Sequence, residues 1–224
     1  MTETPLLRPI GRRLFLGLSA LGAGSLLFGH AVTGGDGEPG LLADLIGQNG
    51  FRIYTVAPIP TFDPATWRLA LDGLVGRPLS LSYADLLAQP SVEQRGTFHC
   101  VTGWSVPNLV WQGVPLRALL DTVSPKPDAK AVVLYSSDGA YTDSLTLDQA
   151  LTPDVLLAYN MNGQPLPLNQ GLPVRLIVPE MYGYKSVKWV NRIELAPSAI
   201  DGYWEVRGYD RDAYLDKSGS RAPA

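Results

Sequence analysis

The stretch that decides the fold is GLPVRLIVPEMYGYKSVKW, residues 171–189. Its first half is an apolar run that carries Arg175 and stops at Pro179, which is typical of a buried strand that ends at a proline. A glycine-containing loop then presents Lys185 and Lys188. Backbone N–H groups, a guanidinium and two ammonium groups suit the binding of one dianion. The alternative is a solvated charged turn.

Composition excludes several classes of protein. Hydrophobic residues make up 46% and charged residues 17% of the 224 residues, which supports a sizeable core and argues against global disorder. The 23 glycines and 19 prolines indicate many turns and short strands rather than a helical bundle. A net charge of −3 gives no indication of a nucleic-acid partner. One cysteine and two histidines exclude an intrachain disulfide and a multi-histidine zinc site, and no Cys-x-x-Cys-His haem motif occurs.

The pattern along the chain predicts a single strand-rich α+β domain at residues 49–216. A linker is expected at residues 32–48 and a flexible tail at 217–224. Helices are predicted at residues 83–87, 115–123 and 145–151. Strands are predicted at residues 67–71, 79–81, 97–101, 131–135, 155–159 and 173–178, and an alternating pattern covers 187–195.

The first residues have the pattern of a targeting signal. Residues 12–29, RRLFLGLSALGAGSLLFG, combine two arginines with a short apolar run that lacks acidic residues. The Arg-Arg-x-Phe-Leu pattern resembles a twin-arginine export signal. An anchor helix is the alternative, but the run is short of the roughly 20 residues that cross a bilayer. We therefore expect residues 1–31 to be a leader and the folded protein to be exported to the periplasm or another extracytoplasmic compartment. An uncleaved leader would leave the domain tethered to the membrane.

The lone cysteine lies in TFHCVTGWS, residues 97–105. A free cysteine is most often a small buried hydrophobe. That interpretation is weakened here because a single thiol in an exported protein is exposed to oxidation and because polar residues flank it. His99 beside Cys100 either hydrogen-bonds near the site or is structural and points away, since adjacent strand residues face opposite sides. The structural interpretation is favoured.

Together the two stretches resemble the molybdopterin domain of the sulfite-oxidase family. The resemblance covers about residues 49–209 and is strongest to the short bacterial members typified by the catalytic subunit of the periplasmic methionine-sulfoxide reductase. Cys100, Val101, Trp104 and Ser105 match the family's Cys-Val-x-x-Trp-Ser stretch. Residues 173–188 match the strand and loop that hold the pterin phosphate. The resemblance thus implies a molybdenum-pterin oxidoreductase.

The resemblance also implies the residues of the site. Cys100 would be the catalytic residue and the protein's ligand to the metal. Ser137 stands where the family has a threonine contact. Gln170 stands where near relatives have asparagine. The implied cofactor contacts are Asn49, Arg52, Ile53, Ser137, Gln170, Arg175, Ser186, Val187 and Lys188.

The implied function is oxygen-atom transfer at a Cys-ligated molybdenum, with one Mo-molybdopterin per chain and no haem. Reduction of S- or N-oxides, such as methionine sulfoxide in proteins, is the first prediction. Sulfite oxidation is the alternative, although sulfite oxidases of animals and plants place an arginine soon after the metal cysteine and residues 101–105 contain none. A non-catalytic exported pterin-binding domain is the alternative from another class. A membrane or periplasmic cytochrome is expected as the electron partner, and the protein is expected to be a monomer.

Overall fold

A five-stranded mixed sheet forms one half of the framework. The computed structural model of the protein describes residues 50–215. The strand order in this sheet is β2-β1-β10-β5-β6, in which β1 and β10 are parallel and the other neighbours are antiparallel. The strands are β1 (Arg68–Gly73), β2 (Leu79–Ser82), β5 (Ala131–Ser136), β6 (Thr142–Thr146) and β10 (Val190–Ala196).

An antiparallel sheet forms the other half. Its order is β3-β4-β7-β8, and β9 also pairs with β7, along residues 156–158. The strands are β3 (Val92–His99), β4 (Ser105–Pro115), β7 (Leu156–Met161), β8 (Gln164–Pro165) and β9 (Arg175–Ile177). This sheet carries the two stretches singled out in the sequence, because β3 leads into Cys100 and β9 contains Arg175.

Within residues 50–215, three short α-helices connect the strands. Helix α1 (Tyr83–Leu87) begins with a capping box between Ser82 and Asp85, and α3 (Leu147–Ala150) begins with one between Thr146 and Gln149. Helix α2 (Leu116–Thr122) follows Pro115 and buries its leucines. No helix within residues 50–215 is both long and apolar enough to cross a membrane.

Two apolar clusters lie against the sheets. The larger one gathers buried residues of β1, β5, β7, β9, β10 and α2. Phe98 and Trp104, on either side of Cys100, pack against the smaller one. It comprises Phe51, Val106, Leu109, Trp111, Leu156, Ala158, Met161, Leu166 and Ile177. Each Å² of apolar surface removed from water stabilises the fold by about 25 cal/mol, so these clusters make the main contribution to stability. Both ends of the Cys100 turn are therefore packed against buried apolar residues.

The strand-rich α+β class is confirmed, but several predicted elements have different bounds. The strand expected at 97–101 begins at Val92 and ends at His99, and the long strand β4 was missed. The helix expected at 145–151 is shorter, because residues 142–146 form β6. The alternation at 187–195 yields a strand only from Val190, because Trp189 has a left-handed φ of 55°. The predicted leader, linker and tail lie outside the described residues, as does Asn49.

Candidate active site

Cys100 lies on a tight turn between β3 and β4. Its backbone N–H donates to the carbonyl of Trp104 at 2.9 Å, and the N–H of Gly103 donates to the Cys100 carbonyl at 3.0 Å. The thiol is half-buried, and its sulfur lies 3.2 Å from the hydroxyl oxygen of Thr102. The strand predicted at residues 97–101 does not extend to Cys100, because the chain reverses here. The turn leaves the sulfur accessible to a ligand.

His99 is held on the neighbouring strand. It is the register partner of Ser105, and the two side chains lie within hydrogen-bond distance, 2.9 Å between Nδ1 and Oγ. This contact joins β3 and β4 at their last paired residues before the Cys100 turn. It favours the structural interpretation of His99.

Arg175 is the central cation of the site. Its side chain is 3% exposed, and one guanidinium nitrogen donates to both the backbone carbonyl and the side-chain oxygen of Gln170, at 3.1 and 3.0 Å. Its second terminal nitrogen donates to the carbonyl of Ser186 at 3.4 Å. Burial lowers the pKa of this guanidinium to about 10, so it stays charged at neutral pH. The guanidinium also lies over the rings of Phe98 and Trp111, 5.3 and 5.5 Å from their centroids.

Lys188 is a second desolvated cation close to the first. Its ammonium donates to the carbonyls of Tyr54 at 2.8 Å and Asn169 at 3.3 Å, and it lies 4.3 Å from the centroid of the Trp189 ring. Burial and then the charge of Arg175 lower the pKa of this lysine to about 7. None of the ion pairs within residues 50–215 includes either cation. The pair therefore favours an added anion.

A glycine allows these two cations to come together. Gly171 has a left-handed φ of 115°, and a Cβ at this position would lie 3.0 Å from the Cβ of Arg175 and 3.2 Å from that of Lys188. A residue with a side chain would be strained by its φ and crowded by both neighbours. Gly171 thus sets the spacing of the cationic pair.

The other predicted contacts lie around this pair. The N–H of Ser137 donates to the carbonyl of Trp189 at 2.8 Å, which places Ser137 beside the Lys188 segment. The hydroxyl of Ser186 is buried and accepts from the N–H of Val178 at 3.3 Å. The side chain of Val187 is in the larger apolar cluster. Of the N-terminal contacts, Ile53 packs on the smaller cluster, and Arg52 is exposed.

Aromatic contacts join the Cys100 turn to the cationic pair. A Cβ on Gly183 would lie 2.0 Å from a ring atom of Phe98, so the basic loop rests directly on the strand that leads to Cys100. The ring of Phe51 packs on Phe98 and Trp104, with centroids 5.2 and 6.1 Å apart. These contacts bring together segments that are far apart in the sequence. The contact between Phe98 and Gly183 was not predicted from the sequence, since no local pattern signals a contact between distant segments.

The donor set of this site fits an anionic cofactor. Buried Nε of Arg175, Nε2 of Gln170 and Nε1 of Trp104 have no hydrogen-bond partner. Buried donors without acceptors are costly, about 1–3 kcal/mol each, unless a ligand supplies the acceptors. Two desolvated cations and three free donors match a phosphate-bearing molecule that is rich in acceptors. The half-buried thiol nearby matches a thiolate ligand to a metal.

One residue expected to face the anion does not. The ammonium of Lys185 was expected to join Lys188 at the dianion, but its side chain is 1% exposed and it bonds to Asp143 and Glu205. This expectation was wrong because neighbouring residues of the 3-10 turn at Gly183–Lys185 project in different directions. The anion site therefore contains one lysine, Lys188.

Comparison with known proteins agrees with this geometry. Residues 56–204 match the family model described as an oxidoreductase molybdopterin binding domain. The chain belongs to the molybdopterin-binding oxidoreductase family. Membership makes it an enzyme of the sulfite-oxidase type, whose domain binds a molybdenum-pterin cofactor, and it confirms the family predicted from the sequence.

Individual relatives place the chain within the family. It is 38% identical over 160 residues to the uncharacterized oxidoreductase YuiH of Bacillus subtilis, covering 71% of this chain and 80% of that protein. It is 36% identical over 152 residues to the protein-methionine-sulfoxide reductase catalytic subunit MsrP of Gluconobacter oxydans, covering 60% of this chain and 48% of that subunit. The chain thus spans about half the length of this subunit. The sulfane dehydrogenase SoxCD of Paracoccus pantotrophus has a related fold, with a TM-score of 0.61 and 28% identity over 64% of this chain and 41% of that one.

Proposed function

We propose that this family member is an exported reductase of S- or N-oxides, such as methionine sulfoxide in proteins, with Cys100 as the ligand to molybdenum. The observation that carries the proposal is the half-buried Cys100 thiol on a turn that packs, through Phe98, against the buried Arg175–Lys188 pair. Relatives named as catalytic subunits of protein-methionine-sulfoxide reductases support the choice of substrate.

The residues of this chain have separable tasks in the proposed reaction. The molybdenum-pterin cofactor, when bound, would supply oxygen-atom transfer, and reduction of a sulfoxide to a sulfide and water would consume two electrons and two protons. Cys100 binds the metal as a thiolate, which a coordinated thiol becomes without a neighbouring base. Arg175 and Lys188 fix the phosphate end of the cofactor, and Gln170 orients the guanidinium of Arg175.

The residues beside Cys100 support an uncharged substrate over sulfite. The rings of Tyr54 and Trp104 stack with centroids 6.4 Å apart beside the Cys100 turn, and residues 101–105 contain no cation. These two rings offer an apolar contact surface, which favours an apolar side chain that carries a sulfoxide. Sulfite, a small dianion, would gain more from an added positive charge. Sulfite oxidation is therefore the second choice.

The surrounding biology forms part of the proposal. Residues 1–31 would direct export of the folded protein, and residues 49–216 would be the enzyme, one cofactor to each chain. Electrons would come from a membrane or periplasmic cytochrome, since the sequence has no motif for its own covalent haem. Replacing Arg12 and Arg13 by lysine should retain the protein in the cytoplasm. Unchanged export of that double variant would contradict the leader assignment.

The decisive measurement is the molybdenum content of the purified wild-type protein and of Cys100→Ser. We expect about one molybdenum per chain in the wild type and a loss of metal or of turnover in the variant. Thr97→Ser, half-buried on the strand that leads to Cys100, is the control and should keep both. Full sulfoxide reduction by Cys100→Ser would overturn the assignment of the thiolate. Turnover of sulfite but not of sulfoxides by the wild type would replace the proposed substrate class.

A further inference from the structure

Lys185, Asp143 and Glu205 form a buried cluster of charges outside the anion site. The ammonium of Lys185 lies 2.5 Å from Oδ1 of Asp143 and 2.9 Å from Oε1 of Glu205. The three side chains are 1%, 1% and 2% exposed. They come from three separate elements, the 3-10 turn at Gly183–Lys185, strand β6 and the 3-10 turn at Glu205–Arg207. The cluster ties these elements together.

The charges of this cluster are finely balanced. Two carboxylates face one ammonium, and the outer oxygens, Oδ2 of Asp143 and Oε2 of Glu205, are buried without a hydrogen-bond partner. Burial raises the pKa of Asp143 to about 7, against the charge of Lys185 and with the added charge of Glu205. Burial, and then the charges of Asp143 and Glu205, raise the pKa of the hydroxyls of Tyr141 and Tyr184, so both phenols stay protonated beside the cluster. Burial and the charge of Glu205 thus both disfavour a negative charge on Asp143, and the charge of Lys185 favours it.

Such a cluster is a poor way to gain stability alone. Well-packed apolar residues often stabilise a core as well as or better than a buried ion pair, whereas an ion pair fixes position and direction. Lys185 immediately precedes Ser186, whose carbonyl accepts from Arg175. The preceding carbonyl, that of Tyr184, accepts from the hydroxyl of Tyr141 at 2.6 Å. The backbone on both sides of Lys185 is thus held by side-chain donors, Tyr141 before it and Arg175 after it.

We propose that Lys185, held by Asp143 and Glu205, is a positioning residue that sets residues 186–188 in the geometry that binds the phosphate of the cofactor. This inference rests on the proposed anion site at Arg175 and Lys188. In this role Lys185 does not contact the anion and acts through the backbone of the residues that follow it. The inference also makes Glu205, but not its neighbours on the same turn, one of the residues that support the cofactor.

The test compares two changes at Glu205 in full-length, cofactor-free protein. Glu205→Gln keeps an acceptor oxygen for Lys185, and Glu205→Ala removes it. Arg207→Ala, an exposed position on the same turn, is the matched control. The affinity for inorganic phosphate is measured by calorimetry at one pH, and the folded fraction is measured separately by urea unfolding. Molybdenum per folded chain is measured in protein made with the cofactor.

We expect the phosphate affinity of Glu205→Ala to be lower than that of the wild type by about tenfold or more, which is the size of loss seen when outer-shell partners are removed at metal sites. The molybdenum content per folded chain should fall as well. Glu205→Gln and Arg207→Ala should stay close to the wild type. Wild-type affinity in folded Glu205→Ala would overturn the inference, because a purely stabilising cluster changes the folded fraction and not the affinity of folded protein. Equal losses in Glu205→Gln and Glu205→Ala would also overturn it.

Two further variants keep the result interpretable. Lys188→Met reports on the anion site itself: if it binds phosphate as the wild type does, the proposed site is wrong. If it binds weakly while Glu205→Ala binds normally, only the positioning role of Lys185 is wrong. Should Glu205→Ala fail to fold, the triple variant Lys185→Met, Asp143→Asn and Glu205→Gln removes every charge of the cluster. Wild-type phosphate affinity in the folded triple variant would likewise overturn the inference, and a loss would support it.

Discussion

Replacing Lys188 by methionine should change how the stability of the cofactor-free protein depends on pH. The pKa of Lys188 is about 7 in the folded protein, lowered from 10.5 chiefly by burial and then by the charge of Arg175. Above pH 7 the folded chain has therefore released a proton that the unfolded chain still holds. Because the unfolded state binds more protons, this group makes the free energy of unfolding rise between about pH 7 and 10.5. Methionine keeps an unbranched side chain and has no proton to lose.

The size of the effect follows from this lowered pKa. A difference of one full proton changes the free energy of unfolding by about 1.4 kcal/mol per pH unit. Because the folded ammonium is about half titrated at pH 7, the wild type should gain about 2 kcal/mol over Lys188→Met between pH 7 and pH 9. Asp143 and the other titrating groups are present in both proteins. Their contributions cancel in the difference.

Urea unfolding of both proteins, made without the cofactor, measures this difference. Curves of unfolding free energy against pH should diverge in favour of the wild type from pH 7 to pH 9. Parallel curves would refute the reasoning, and so would a relative loss of wild-type stability as the pH rises. Saturating phosphate provides an internal check, because a bound anion restores the proton on Lys188 and should flatten the divergence.

Other predictions follow from close contacts at the site and from the surface. Gly171→Ala should lower the free energy of unfolding by about 1–3 kcal/mol and reduce molybdenum content, because its Cβ would lie 3.0 Å from that of Arg175 at a left-handed φ; unchanged urea unfolding and metal content would contradict this. Gly183→Ala should be destabilising by about 1–3 kcal/mol, since its Cβ would overlap the ring of Phe98, and a smaller side chain at the phenylalanine should restore stability in the double variant. Arg192→Ala breaks a half-exposed ion-pair network and should change stability by about 1 kcal/mol or less, with normal molybdenum content; a large loss of metal there would show a coupling to the site that the structure does not predict.

The sequence alone determined the fold class and much of the candidate site. The alternation of apolar and polar residues reports on strands directly, because side chains alternate between the two faces of a sheet. Its prediction for β1, residues 67–71, agrees with the observed Arg68–Gly73 to within two residues at each end. Cys100 and Arg175 could be singled out because a lone thiol and a basic, glycine-containing loop carry chemistry that is visible without a structure. Residues 145–151 show the limit, because a capping signal at Thr146 marks the start of α3 but not the end of β6.

Only the tertiary structure decided the direction of each side chain. Lys185 and Lys188 read alike in the sequence, yet one lies against two carboxylates and the other against two carbonyls beside Arg175. Asp143 and Glu205 are 62 residues apart, and nothing local to either signals the other. The physical reason is that burial and partner charges, which set pKa values and ligand preference, depend on contacts between distant segments. A sequence pattern specifies which groups are present, and the packing of Gly171 and Gly183 specifies where those groups meet.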